Sequence, residues 1–183
     1  MTTPATLLLI DLQTGAFDGV RCPVIDQPER LLANASALLA AARAAGAPVV
    51  HVQHLEDQPG APFEPGTPQV ELHPRVAPQT GEPVVQKRQC NAFADTALAE
   101  VLAAAGGGRT LVVAGLQSDF CVRQTTLAAL ERGDAVLLAD DAHGTWPWKG
   151  EEAEAIRSRI RGELVAAGAQ PVATAAIEGR WPA

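Results

Sequence analysis

Residues 110–130 read TLVVAGLQSDFCVRQTTLAAL, and the change of pattern inside this stretch decides the fold. Thr110 to Ala114 form a short apolar run rich in β-branched residues, as in a strand buried on both faces. From Cys121 to Arg132 the apolar residues recur at helical spacing, and Gly133 follows as a stop signal. A strand that turns directly into a helix is the repeating unit of a parallel sheet. Cys121 stands where the two patterns meet. It is either a core thiol or a nucleophile at the mouth of a site.

The same alternation runs along the chain. Predicted strands are Thr6–Ile10, Pro48–Val52, Pro83–Gln86, Thr110–Ala114, Ala135–Ala139 and Pro171–Ala173. Predicted helices are Pro28–Ala45, Thr96–Ala105, Cys121–Arg132 and Glu151–Ala167, three of them followed by Gly46, Gly133 and Gly168. The expected fold is an α/β open sandwich of three layers, a parallel sheet with helices on both faces. With 183 residues and no repeat or linker, one domain over 1–183 is expected. Leu55 to Glu82 lacks periodicity and is rich in Pro and Gly, which marks a functional or interfacial loop. Gly106–Gly108 precede a strand, so they read as a helix-to-strand turn rather than a phosphate loop.

Composition narrows the partners. A net charge of −7 argues against nucleic acid and anionic membranes. No apolar run nears the roughly 20 residues needed to span a bilayer. The opening MTTPATLLLIDLQ reads as a first strand, with no basic leader or cleavage site, so a cytoplasmic location is expected. Cys22, Cys90 and Cys121 form no CxxC pair, which implies neither a disulfide framework nor a zinc knuckle. Of 14 basic residues, only Lys87 and Lys149 are lysine. A chain that uses arginine almost everywhere needs a reason for a lysine.

Ligands of open parallel sheets bind at the carboxyl ends of the strands. Asp11 ends the first predicted strand. Gln53 and His54 follow the second, and Lys87 ends the third. GLQSDFC follows the fourth, and Asp140, Asp141 and His143 follow the fifth. A carboxylate, an ammonium and a thiol thus reach one edge. A helix start and a neighbouring ammonium favour a thiolate at Cys121. A carboxylate can shuttle its proton, and turn N–H groups can hold an oxyanion. This set suits hydrolysis of a carbonyl–nitrogen bond through an acyl-enzyme. Against it stand plainer readings: Cys121 as core, Asp11 as a turn residue and Lys87 as a rim charge.

LLLIDLQTGAF (7–17), VVQKRQCNAF (84–93) and LVVAGLQSDFCVRQTTLAAL (111–130) together resemble the isochorismatase-like cysteine hydrolase superfamily, which includes nicotinamidases and N-carbamoylsarcosine amidases. The likeness runs from the first strand through DDAHGT (140–145). It implies a six-stranded parallel sheet in the order 3-2-1-4-5-6 and a homo-oligomer, a dimer or larger. It implies a catalytic triad of Asp11, Lys87 and Cys121. It also implies a cis peptide at Leu116–Gln117, with the N–H groups of Gln117 and Cys121 as oxyanion donors.

Isochorismatase proper lacks the cysteine, so Cys121 points to amide-type hydrolysis of a small molecule. Nicotinamidases carry a metal after the second strand. Here QHLED offers only His54 and Glu56 near those positions, and His51 and His73 do not complete the pattern. The expectation is no metal and no other cofactor. A metal-dependent nicotinamidase variant and a non-catalytic oligomeric scaffold of the same fold are the alternatives. Gln13, Phe17, Asn91, Phe93 and Trp146 are candidate substrate contacts. Trp146 and Trp148 suit a pocket wall or a subunit contact equally. Cys22 and Cys90 read as structural, so iodoacetamide is expected to label Cys121 ahead of both.

Overall fold

The first strand, β1 (Thr6–Ile10), has no exposed residue. Its side chains alternate between two cores, as the two-residue period of a strand requires. Leu7 and Leu9 enter one hydrophobic cluster, while Leu8 and Ile10 enter the other. That double burial places β1 in the middle of the sheet. The computed structural model describes residues 5–106, 108–178 and 181. The opening four residues and Gly107, the centre of the glycine run, lie outside them.

The chain continues through α1 (Pro28–Ala44), β2 (Val49–His54), β3 (Val84–Lys87), α2 (Leu98–Ala104), β4 (Thr110–Leu116), α3 (Arg123–Glu131), β5 (Ala135–Gly144), α4 (Ala153–Ala166), β6 (Gln170–Val172) and α5 (Thr174–Glu178). All six strands pair in parallel, in the order β3-β2-β1-β4-β5-β6. Leu31, Ala35, Leu38, Leu39 and Ala42 form the inward stripe of α1, and Ile177 of α5 joins them. Leu98 of α2, Ala129 of α3 and Ile156, Ile160 and Leu164 of α4 fill the other core. Helices therefore cover both faces. Among the described residues, no helix is long and apolar enough to cross a membrane.

Several elements differ from the sequence reading, and two of the differences reach the site. Cys121 does not open α3. Ser118–Val122 wind as a π-helical turn, in which the N–H of Val122 donates to the Gln117 carbonyl at 3.0 Å, and α3 starts at Arg123. Strand β5 runs five residues past Ala139, so Asp140, Asp141 and His143 lie within it. Its polar residues hid that extension, which pairs His143 with Gly115 and Gly144 with Leu116 after a register shift. The α5 helix was too short to register as a period.

Gly115 lets β4 approach the end of β1. It pairs with Ile10, and its φ is +126°. A Cβ there would meet the Ile10 carbonyl oxygen at 2.0 Å. Gly46 after α1 also has positive φ, +62°, but has nothing within 4 Å of such an atom. Gly115→Ala is expected to destabilise the fold by roughly 2–4 kcal/mol, from backbone clash plus conformational strain. Gly46→Ala carries only the conformational cost, about 1 kcal/mol. Urea denaturation of the two variants checks the difference.

Candidate active site

Sheet order explains why distant residues meet. The β1 strand lies between β2 and β4, the point where the strand order reverses and a crevice opens at the carboxyl ends. Asp11 is the first residue past β1. Its φ of +53° is in the left-handed region, which aspartate tolerates better than most residues, and the chain turns sharply there. Lys87 ends β3 and pairs in register with His54 at the end of β2. Cys121 sits in the π-helical turn after β4.

These side chains converge. Lys87 Nζ lies 2.7 Å from Asp11 Oδ2, 3.1 Å from Cys121 Sγ and 3.1 Å from His54 Nδ1. An ammonium has three N–H bonds, and here each has a partner. Asp11, Lys87 and Cys121 are 3%, 1% and 7% exposed. Asp11 Oδ1 is buried with no hydrogen-bond partner among the described residues. One oxygen of the Asp11 carboxylate is therefore left over.

The electrostatics follow from this packing. Burial pushes the Asp11 carboxyl well above its usual range, and the Cys121 sulfur adds to the rise against the pull of Lys87. For Lys87, burial acts to strip the proton, but Asp11 and Cys121 outweigh it and raise its pKa. Burial and the nearby ammonium lower His54 to about 4, so its ring is neutral and accepts from Lys87. The hydrogen bond with Cys90, then burial, holds Cys121 toward its thiol form, while Lys87 and Asp11 oppose them. That same hydrogen bond lowers Cys90 to about 6.

A cavity of about 580 Å³ opens over the trio. Gln117 and Cys121 line it, and the Leu116–Gln117 peptide bond is cis. Two bonds tie the π-helical turn to the end of the sheet. Ser118 Oγ meets His143 Nδ1 at 2.8 Å, and Thr145 Oγ1 donates to Asp119 Oδ1 at 2.6 Å. The other acids of β5 work elsewhere. Asp140 pairs with Arg161, and Asp141 accepts from the N–H and hydroxyl of Thr174.

Of the candidate substrate contacts, Trp146 lines the cavity, and its indole N–H donates to the Pro23 carbonyl. The other four do not line it. Gln13 is fully buried and clasps the backbone. Its amide donates to His54 O and Val70 O and accepts from His54 N. Phe17 packs edge-on to His73 at 5.1 Å. Asn91 turns back to accept from the N–H of Phe93, whose ring carries the Arg132 guanidinium at 4.7 Å. Being near a motif residue in sequence did not bring these side chains to the cavity.

Sequence reasoning also missed wall residues. Cys22 and Cys90, read as structural, both line the cavity, as do Glu56, Phe63 and Asp119, while Trp148 lines it as one of its two readings allowed. The spacing of Cys90, three residues after Lys87, was the available signal. The histidines are dispersed: His51 meets Glu82 at 3.0 Å, His54 meets Lys87, and His73 accepts from the Arg75 N–H. Among the described residues, no three His, Cys, Asp or Glu side chains are placed to share a cation.

Known proteins resemble this chain in sequence and in fold. Residues 5–174 match the family model of the isochorismatase domain. A streptothricin hydrolase of Streptomyces noursei is 44% identical over 140 residues, 76% of this chain and 49% of that protein. The chain spans about half the length of the curated relatives it matches first. A maleamate amidohydrolase of Pseudomonas putida is 32% identical over 125 residues, 61% of this chain and 58% of that one. The crystal structure of an isochorismatase from Pseudomonas putida superposes with a TM-score of 0.85 at 32% identity, covering 93% of this chain and 88% of its own.

Two outcomes follow from the buried trio. Lys87→Met strands a buried carboxylate and is expected to cost about 3–5 kcal/mol. Asp11 then binds a proton more readily folded than unfolded, so the loss grows as pH rises. Adding Asp11→Leu should restore part of the stability, which urea melts at several pH values would report. Iodoacetamide is expected to alkylate Cys90 and Cys121, which lie beside the Lys87 ammonium, ahead of Cys22, whose thiol is pushed up by burial and by the carboxylates of Asp18 and Glu56. Peptide mass spectrometry over a time course should show the Cys90 and Cys121 peptides modified before the Cys22 peptide.

Proposed function

The chain belongs to the isochorismatase family, and within it we propose a cysteine-dependent hydrolase that cleaves a carbon–nitrogen bond of the amide or ureide type in a small molecule. The reading rests on one observation: the ammonium of Lys87 lies between the Asp11 carboxylate and the Cys121 sulfur, at 2.7 and 3.1 Å, beneath an open cavity. The names of the relatives, a streptothricin hydrolase and a maleamate amidohydrolase, support the reaction class.

In this reading Asp11 takes the Cys121 proton on its unpartnered Oδ1. The sulfur adds to the substrate carbonyl carbon, and the developing oxyanion is held by the N–H groups of Gln117 and Cys121. Asp11, now protonated, gives that proton to the departing nitrogen as the C–N bond breaks, leaving a thioester on Cys121. Water then attacks the thioester with Asp11 as base, and the thiol returns. Lys87 stays charged throughout. It stabilises whichever neighbour is anionic, so the proton can move between Asp11 and Cys121 with little change in net field. The raised pKa of Asp11 suits both halves of the cycle, since it makes the carboxylate a better base.

Cys121→Ala is expected to fold and to lower kcat by on the order of a thousandfold or more. Asp11→Asn should lower kcat comparably, because the amide cannot shuttle the proton. A panel of small amides assayed for ammonia release measures both. Rapid quenching should trap a thioester on the Cys121 peptide. Full activity in Cys121→Ala would sink the proposal.

A further inference from the structure

The cavity wall has an uneven charge. Its lining includes two carboxylates beyond Asp11, those of Glu56 and Asp119, and it includes no arginine or lysine. Among the described residues, neither carboxylate has a basic side chain within 4 Å. One oxygen of each is fixed by the protein: Asp119 Oδ1 accepts from Thr145, and Glu56 Oε2 accepts from the Phe63 N–H at 2.9 Å. The second oxygen of each has no protein partner among the described residues. Lys87 does not offset this charge, because it lies beneath the floor and is neutralised by Asp11. Arg159, near Asp119, is held by Glu151 at 2.9 Å.

The same wall concentrates aromatic rings. The chain has no tyrosine and only seven Phe and Trp residues, three Trp plus four Phe. Four of them, Phe63, Phe120, Trp146 and Trp148, line this one cavity. Phe120 and Trp148 are 43% and 61% exposed. The Trp148 ring already carries a cation, with Lys149 Nζ 5.8 Å from its centroid. Aromatic faces attract cations, as do unpaired carboxylates focused by low-dielectric walls.

We propose that this site selects amides carrying a positive group, an alkylammonium or guanidinium, with Glu56, Asp119 and the aromatic wall receiving the cation while the carbonyl lies over Cys121. The proposal rests on the amidohydrolase reading above. It narrows the substrate class from small amides in general to cationic ones of a size that about 580 Å³ can enclose. An anionic amide would meet two carboxylates in a lining that holds no arginine or lysine.

The test uses three amides of one shape: trimethylammoniobutanamide, its uncharged carbon isostere dimethylhexanamide, and glutaramate. Ammonia release gives kcat/KM, and quenching of tryptophan fluorescence gives the Kd of each, independently of turnover. The cationic amide is expected to show about tenfold higher kcat/KM and about tenfold lower Kd than the neutral one, with glutaramate weakest, and added salt should shrink the spread. In the double variant Glu56→Gln, Asp119→Asn the cationic-to-neutral ratio should fall toward one. Both substitutions keep an acceptor for the Phe63 N–H and for Thr145, so a lost ratio reports charge rather than collapse of the wall. Equal binding of cation and isostere, or tightest binding of glutaramate, overturns the cation preference even if all three are hydrolysed. Preferred cation binding with no ammonia from this series or the wider amide panel overturns the amidohydrolase reading instead.

Discussion

A lysine ammonium buried beneath a cavity needs a full set of partners, and the structure is organised to supply them. Leaving such a charge unpaired costs several kcal/mol, a large share of a typical domain's stability. Lys87 meets that demand with a carboxylate, a sulfur and a neutral imidazole, from the ends of β1, β4 and β2. No two of these lie close in sequence. Each must therefore be delivered by a strand whose register is set by the core. The alternation of β1 side chains between two hydrophobic clusters does this work, since a slip of one residue would turn Asp11 to the opposite face.

What the sequence disclosed divides along this line. The strands were legible because burial on both faces leaves continuous apolar runs. The meeting of Asp11, Lys87 and Cys121 was legible because parallel strands bring all their carboxyl ends to one edge. The scarcity of lysine singled out Lys87. Neighbours along the chain were read less well. Gln13 lies two residues past Asp11, yet the backbone turn at Asp11 sends its amide into a clasp on His54 and Val70. Asn91 is spent on a local turn, as short amide side chains often are. Cys90, read as structural, lies in the cavity wall, a place that its own residue type does not mark.

The site has two structural origins. Asp11, Lys87 and Cys121 stand at or just beyond strand ends, where register holds them. Its walls come from connecting segments around residues 22–24, 56–63 and 145–148. Those segments are not loose. Gln13 pins the start of the 55–82 stretch, and Trp146 is tied to Pro23. The π-helical turn is itself braced from β5 by Ser118–His143 and Asp119–Thr145. A floor fixed by the sheet and a wall fixed by a few side-chain bonds allow the wall to change its chemistry without moving the floor.

The two lysines have a last consequence. One is sealed under the cavity, and the other, Lys149, is exposed beside Trp148 at its rim. Amine-directed chemistry on side chains therefore has a single accessible handle, and it sits at the entrance to the site. A support or fluorophore attached through lysine would stand in the doorway, whereas arginines spread over the rest of the surface keep the charge there without offering such a handle.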